Sequence, residues 1–191
     1  MDRAIRRIPL PRLREGANIL ELTIPFGKRT NTEWCYLLGD FGVQVCGSRK
    51  RITAFPQQIG FDDITRQGLA FYGGAVTYRI RLCSGGGDLR VRIPHYRANV
   101  LHVRMDGQDF GALAYPPYEA ELGRPAAGEH MLEITAYISR QNAFGALHQA
   151  DSEDKWCGPD AWRTAGDAWT DSYRLAAAGL LSEPVVIESL V

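Results

Sequence analysis

The residues best suited to chemistry gather between positions 139 and 173. Ser139-Arg140-Gln141-Asn142 closes an apolar alternation, and the long loop after it holds His148, Trp156, Trp162 and Trp169, three of the chain's four tryptophans. Loops of that length in a compact domain are either functional or disordered, and tryptophan is a poor residue for disorder. An indole ring can stack on a flat apolar surface such as a pyranose face. Arg140, Asn142 and His148 can hydrogen-bond hydroxyls beside it. Trp156 ranks first among the rings, because Asp154, Lys155 and Cys157-Gly158-Pro159 place it at a turn. The competing expectation is that the rings fold the loop against its own domain, since Ala161 and Ala168 stand next to Trp162 and Trp169. Pro94-His95-Tyr96-Arg97, a strand-end turn, is a second candidate, with His95 and Tyr96 as ligand contacts.

No catalytic constellation accompanies these residues. The chain has no HExxH, GxSxG, phosphate loop or dinucleotide fingerprint. Its glycine pairs precede strand patterns rather than helices. A glycosidase needs two carboxylates about 5 Å or about 6.5–9.5 Å apart. Asp151, Glu153, Asp154, Asp160, Asp167 and Asp171 could supply them, but loop solvation explains these acids equally well. The cysteines at 35, 46, 83 and 157 show neither a CxxC pair nor a zinc spacing. They read as buried free thiols, with Cys35 beside Trp34 and Cys83 at the end of an apolar strand. No cofactor is expected. A structural calcium ion is compatible with such a sequence, but no dedicated calcium loop assigns it.

The elements that must position these residues are strands. Val76, Tyr78, Ile80 and Leu82 alternate with Thr77, Arg79 and Arg81. Ser84-Gly-Gly-Gly-Asp88 then turns the chain into a second alternation, Leu89, Val91 and Ile93, and the two read as a hairpin. The stretch 100–105 ends at Asp106-Gly107, the strongest hairpin signal in the chain. Tyr118, Ala120 and Leu122 alternate with Glu119 and Glu121, and Leu20, Leu22 and Ile24 share one face of an expected strand over 18–24. Many short strands split by Gly/Pro turns predict an all-β antiparallel β-sandwich or a barrel. Arg79, Arg81, Arg90 and Arg92 on its outer face could form an anion-binding stripe, but the expectation is a solvated face whose charges are relieved by Glu119, Glu121 or Glu133 on neighbouring strands.

A half repeat divides the chain. Gly16-Ala-Asn-Ile-Leu-Glu-Leu-Thr23 aligns with Gly128-Glu-His-Met-Leu-Glu-Ile-Thr135, and Tyr36, Leu38 and Gly42 align with Tyr173, Leu175 and Gly179. The first copy lacks the strands that precede Gly128 in the second. Residues 1–45 therefore read as the closing strands of an incomplete upstream sandwich, and residues 46–191 as a second, fuller one.

Several segments of this second unit carry a resemblance. They are Phe71-Tyr72-Gly73-Gly74 leading into Val76-Thr-Tyr78, then Val103-Arg-Met-Asp-Gly-Gln-Asp-Phe-Gly111, Pro116-Pro-Tyr118, Gly128-Glu-His-Met-Leu-Glu-Ile134 and Trp169-Thr-Asp-Ser-Tyr173. Together they resemble the galactose-binding-like, jelly-roll sugar-binding domain of bacterial multidomain glycoside hydrolases, over about residues 50–191. Asp106 and His130 each stand where that pattern has Asn. The resemblance implies a jelly-roll fold and an accessory role beside a catalytic domain of the same parent glycoside hydrolase, with carbohydrate as partner and no catalysis in this chain. The alternatives are a purely structural sandwich that buttresses a catalytic domain or mediates self-association, and a glycosidase acting through the acidic tryptophan loop.

Composition bounds the remaining classes. Twenty-two basic and twenty-two acidic residues balance, which argues against a nucleic-acid partner that binds by counterion release. No apolar run approaches the roughly 20 residues of a membrane span. No signal peptide opens the chain, so the expectation is cytoplasmic if it is complete and secreted if it is a fragment. Packing on the second unit, or a homo-oligomer through residues 1–45, is expected to cover the apolar face of Leu20, Leu22 and Ile24.

Overall fold

The computed structural model describes residues 7–28, 30, 35–151 and 158–189. The chain divides into two compact units, Met1–Leu38 and Gly39–Val191. Among the described residues of the first unit there is no strand or helix. Its local order comes from side-chain bonds: Asn18 accepts from the Arg14 N–H (3.0 Å) and donates to the Arg14 carbonyl (2.9 Å), and Thr30 Oγ1 accepts from the Gly27 N–H (2.7 Å). The strand expected over 18–24 therefore joins no sheet. Alternation shows which side chains share a face, whereas a strand also needs a neighbour to bond its backbone.

The second unit is an antiparallel β-sandwich, whose described residues form eleven strands: β1 (Phe41–Cys46), β2 (Arg49–Ala54), β3 (Ala75–Ser84), β4 (Asp88–Arg92), β5 (Tyr96–Arg97), β6 (Val100–Met105), β7 (Gln108–Leu113), β8 (Glu119–Gly123), β9 (Gly128–Tyr137), β10 (Gly179–Leu180) and β11 (Val185–Ser189). Helix among the described residues is limited to one turn, α1 (Gln141–Phe144), and two 3-10 turns, Ile64–Gln67 and Pro159–Ala161. One sheet runs β3-β9-β6-β7 and the other β11-β4-β8, with β1-β2 and β10-β5 as two-stranded additions. β9 is central in the first sheet, paired with β3 from Ala75↔Tyr137 to Ser84↔Gly128 and with β6 from Val100↔Tyr137 to Met105↔Leu132. Leu132, Ile134, Leu101 and Val103 from this sheet meet Leu89 and Val91 from the other in one core, each at most 1% exposed. The period-2 pattern positions them, because every second side chain of a strand faces the same way.

The predicted β6–β7 hairpin is present. Asp106 (φ 49°) and Gly107 (φ 83°) both take left-handed backbone, as a two-residue hairpin loop matching strand twist requires. The predicted β3–β4 hairpin is not. β3 pairs with β9 while β4 pairs with β8 and β11, so the glycine loop crosses between sheets. Its backbone explains the glycines: Gly85 and Gly87 N–H groups and the Ser84 hydroxyl all donate to the Glu188 carboxylate of β11 at 2.8–3.1 Å. These donors hold Glu188 below the usual carboxylate range.

Two arginines of the stripe are relieved as expected, through Arg79–Glu133 (2.9 Å), Arg90–Glu119 (3.2 Å) and Arg90–Glu121 (3.6 Å). The expectation of buried thiols is overturned: Cys35, Cys46 and Cys83 are exposed and free. For Cys83 the reason is parity, since it shares the outward face of β3 with Thr77, Arg79 and Arg81. Cys157 lies outside the described residues.

Asp106 and His130, the two departures from the jelly-roll pattern, contact each other. His130 Nδ1 lies 2.5 Å from Asp106 Oδ2, and Nε2 lies 2.8 Å from the Ala126 carbonyl. Asp106 Oδ1 also accepts from the Met131 N–H (2.8 Å). Both ring nitrogens thus face acceptors, an arrangement that the imidazolium form satisfies. His130 is raised above its ordinary pKa, first by the Asp106 bond and then by Ala126. Asp106 is lowered, first by the Met131 N–H and then by His130.

Candidate functional site

Residues 147–150 and 168–174 run antiparallel beside the β1–β2 turn. The Thr170 N–H donates to the His148 carbonyl (2.8 Å), the Ala150 N–H to Ala168 (2.9 Å), the Arg174 N–H to Leu147 (2.7 Å) and the Tyr173 N–H to Gly47 (3.0 Å). This ladder stacks rings that are far apart in sequence. His148 lies 6.0 Å from Trp169 with ring planes 28° apart, and 4.4 Å from Tyr173. Phe71 meets Tyr173 edge-on at 5.5 Å. Lys50 Nζ donates to the Tyr173 hydroxyl (2.9 Å) and sits 4.7 Å from its ring centre. His148 Nδ1 is 3.0 Å from the Thr170 carbonyl, which makes it the donor and leaves Nε2 of the neutral ring as an acceptor.

Trp169 and His148 are therefore brought together, and each is partly buried. Lys50, Phe71 and Tyr173 complete the cluster. Tyr173 carried a sequence signal through the repeat and Phe71 through the jelly-roll motif, but neither signal placed them beside His148. Lys50 lies on a separate element, β2, and nothing in its spacing pointed to the cluster. Trp162 stands apart, 45% exposed, just after a 3-10 turn whose Ala161 is buried. Trp156 lies outside the described residues, as do Glu153 and Asp154.

The other candidates take different positions. Asn142 is 4% exposed and clamps one peptide: its Nδ2 donates to the Ala176 carbonyl (2.8 Å), and its Oδ1 accepts from the Ala176 N–H (2.9 Å). Arg140 is exposed and caps the start of α1, where its carbonyl accepts from the Ala143 and Phe144 N–H groups. His95 is exposed, and its carbonyl accepts from Leu181 (2.9 Å). Tyr96 packs edge-on against Tyr118 at 5.0 Å and against the core. Burial first and Tyr118 second push its hydroxyl up to about 12. Asp160 holds Arg163 (3.2 Å), an ion pair within the loop. Among the described residues no three His, Cys, Asp or Glu side chains converge as a metal site, and no helix is long and apolar enough to cross a membrane.

No protein-family model matches the sequence, and no curated protein matches it. Among solved structures the chain is similar to a rhamnosidase from Novosphingobium sp. PP1Y, at 18% identity and a TM-score of 0.47, over 87% of this chain and 16% of that one. It is similar to a GH2 beta-galacturonidase from Eisenbergiella tayi bound to galacturonate, at 20% identity and a TM-score of 0.44, over 79% and 23%. It is also similar to a beta-D-glucuronidase from Dictyoglomus thermophilum, at 19% identity and a TM-score of 0.37, over 78% and 26%. The chain thus spans 16 to 26% of the length of these three structures. Likenesses of this size assign neither substrate nor reaction to it.

Proposed function

We propose that this chain is a noncatalytic carbohydrate-binding, accessory β-sandwich module of a glycoside hydrolase, with the Trp169–His148–Tyr173 stack as its sugar platform. The stack carries the reading. Its rings stand on a bonded ladder, so little conformational entropy is lost when a sugar ring settles on Trp169. His148 Nε2 and Lys50 Nζ supply an acceptor and a donor for hydroxyls beside it. The jelly-roll motifs along 71–173 support the same reading.

Trp169→Ala tests it. Retention of the full chain on affinity gels carrying plant or bacterial polysaccharides should weaken at least about tenfold, equivalent to about 1.4 kcal/mol. The melting temperature should stay within a few degrees of the unaltered chain. Unchanged retention would remove the platform. A collapse of the melting temperature would make the ring a packing element and favour the structural-sandwich reading.

A further inference from the structure

A concave site is lined by none of the residues of the aromatic stack. It is a half-open cleft of about 310 Å³ lined by Arg97, Asn99, Ser139, Gln141 and Asn142, with Ala176, Ala177 and Ala178 among its apolar walls. Three features give it a chemical character. Arg97 is its single charged residue, and among the described residues this guanidinium makes no ion pair, so the cleft presents one uncompensated positive charge. The Arg97 backbone is held in the β5–β10 pairing opposite Gly179, which displays the side chain from a fixed strand. Asn99 and Gln141 add exposed amides that both donate and accept, as a polyol requires. The Asn142 clamp holds the alanine wall in place, and the small side chains there leave the space open.

We propose that this cleft binds one acidic sugar ring, with Arg97 pairing its carboxylate and Asn99 and Gln141 bonding its hydroxyls. Planar guanidinium meets carboxylate through two parallel bonds, which fixes orientation as well as charge. The volume stands at the lower limit of small-ligand sites, about 300–1,000 Å³, which suits a single ring rather than a chain of sugars. The proposal rests on the carbohydrate reading and adds the class of sugar, but it uses none of the residues of the aromatic stack.

The test titrates the full chain with D-glucuronate, D-glucose and acetate, followed by backbone amide shifts. The expected result is glucuronate binding, with shifts centred on residues 97–99, 138–142 and 176–178, and much weaker responses to the other two probes. Arg97→Gln should weaken glucuronate binding roughly 10- to 100-fold, since hydrogen bonds to charged groups are the strong class. Ala177→Phe, at an exposed position, should block binding by filling the cleft. Trp169→Ala should leave glucuronate binding unchanged, so failure of the aromatic platform and failure of the cleft are read separately. Glucose binding as tightly as glucuronate, acetate binding as tightly as glucuronate, no binding of glucuronate, or an Arg97→Gln chain that binds it normally would each overturn the proposal.

Discussion

The sheet β3-β9-β6-β7 and the segment 139–178 are held in place by different means. In the sheet, β9 buries Leu132, Ile134 and Ala136 completely, and it is paired by β3 along its whole length and by β6 from Leu132 to Tyr137. Among its described residues the segment has a single helical turn, one short 3-10 turn and scattered bonds. A few anchors tie it down: the Asn142 clamp on Ala176, the Asp63 carboxylate accepting from Ala178 (3.1 Å), and the Tyr78 hydroxyl accepting from Leu180 (3.1 Å). The contrast is one of purpose. A region stabilised by burial spends its side chains on the core, whereas one fastened through its backbone keeps rings and amides free for a ligand.

The largest expected effect lies in the sheet. Leu132→Ala removes a side chain with no exposure, touching strands on both sides. It should cost about 2–5 kcal/mol, seen as a lower denaturant midpoint with the slope retained. A loss under 1 kcal/mol would mean that the sheet is not the principal source of stability.

Gly179→Ala comes next, where the segment returns to the core. Gly179 has φ +96°, and a Cβ there would stand 2.6 Å from the Tyr78 hydroxyl and 2.8 Å from Ile64 Cγ2. Left-handed strain and the clash together should cost about 2–4 kcal/mol by thermal unfolding. Asn142→Ala should follow at about 1–3 kcal/mol, because both polar groups of Ala176 lose their partner. Its distinguishing sign is faster hydrogen exchange confined to the segment, with the β9 amides unaffected. If β9 exchange rose equally, the two regions would be one cooperative unit and the contrast would fail.

The smallest effect concerns pH and the Asp106–His130 pair. His130 is raised from 6.5, so its contribution is complete below that value and is lost as pH rises through the folded-state pKa. Asp106 is lowered from 3.8, so its contribution is present above that value and is lost as pH falls through its folded-state pKa. Stability from the pair therefore spans the interval between the two folded-state values. His130→Asn should flatten the alkaline side of a melting-temperature profile. An unchanged profile would show that the imidazolium contributes nothing to the β6–β7 turn.

The strands were legible because burial on one face leaves a period of two in the chain, as in Val76 to Leu82, Leu89 to Ile93 and 118–122. Asp106-Gly107 was legible because left-handed backbone at both positions restricts the residue types that fit. The crossing of the 84–88 loop was not legible, since the same glycines serve a hairpin or a carboxylate cradle, and Glu188 lies a hundred residues away in sequence. Nor does local alternation distinguish 18–24, which pairs with nothing among the described residues, from 128–135, which fills the centre of a sheet.

For the candidate sites, the sequence by itself determined the region, through three tryptophans and a histidine in a long loop, and it determined the residue types able to contact a sugar. Tertiary structure alone decided which of them meet. It joined Trp169 to His148 and Tyr173, recruited Lys50 and Phe71, set Trp162 apart, turned Asn142 inward as a clamp, and brought Arg97 of one candidate turn to the same cleft as Ser139, Gln141 and Asn142 of the other candidate segment. The physical reason is that periodicity and turn chemistry act between residues a few positions apart, whereas a site forms where distant backbones are held together by ladders whose hydrogen-bonding groups are the same at every residue.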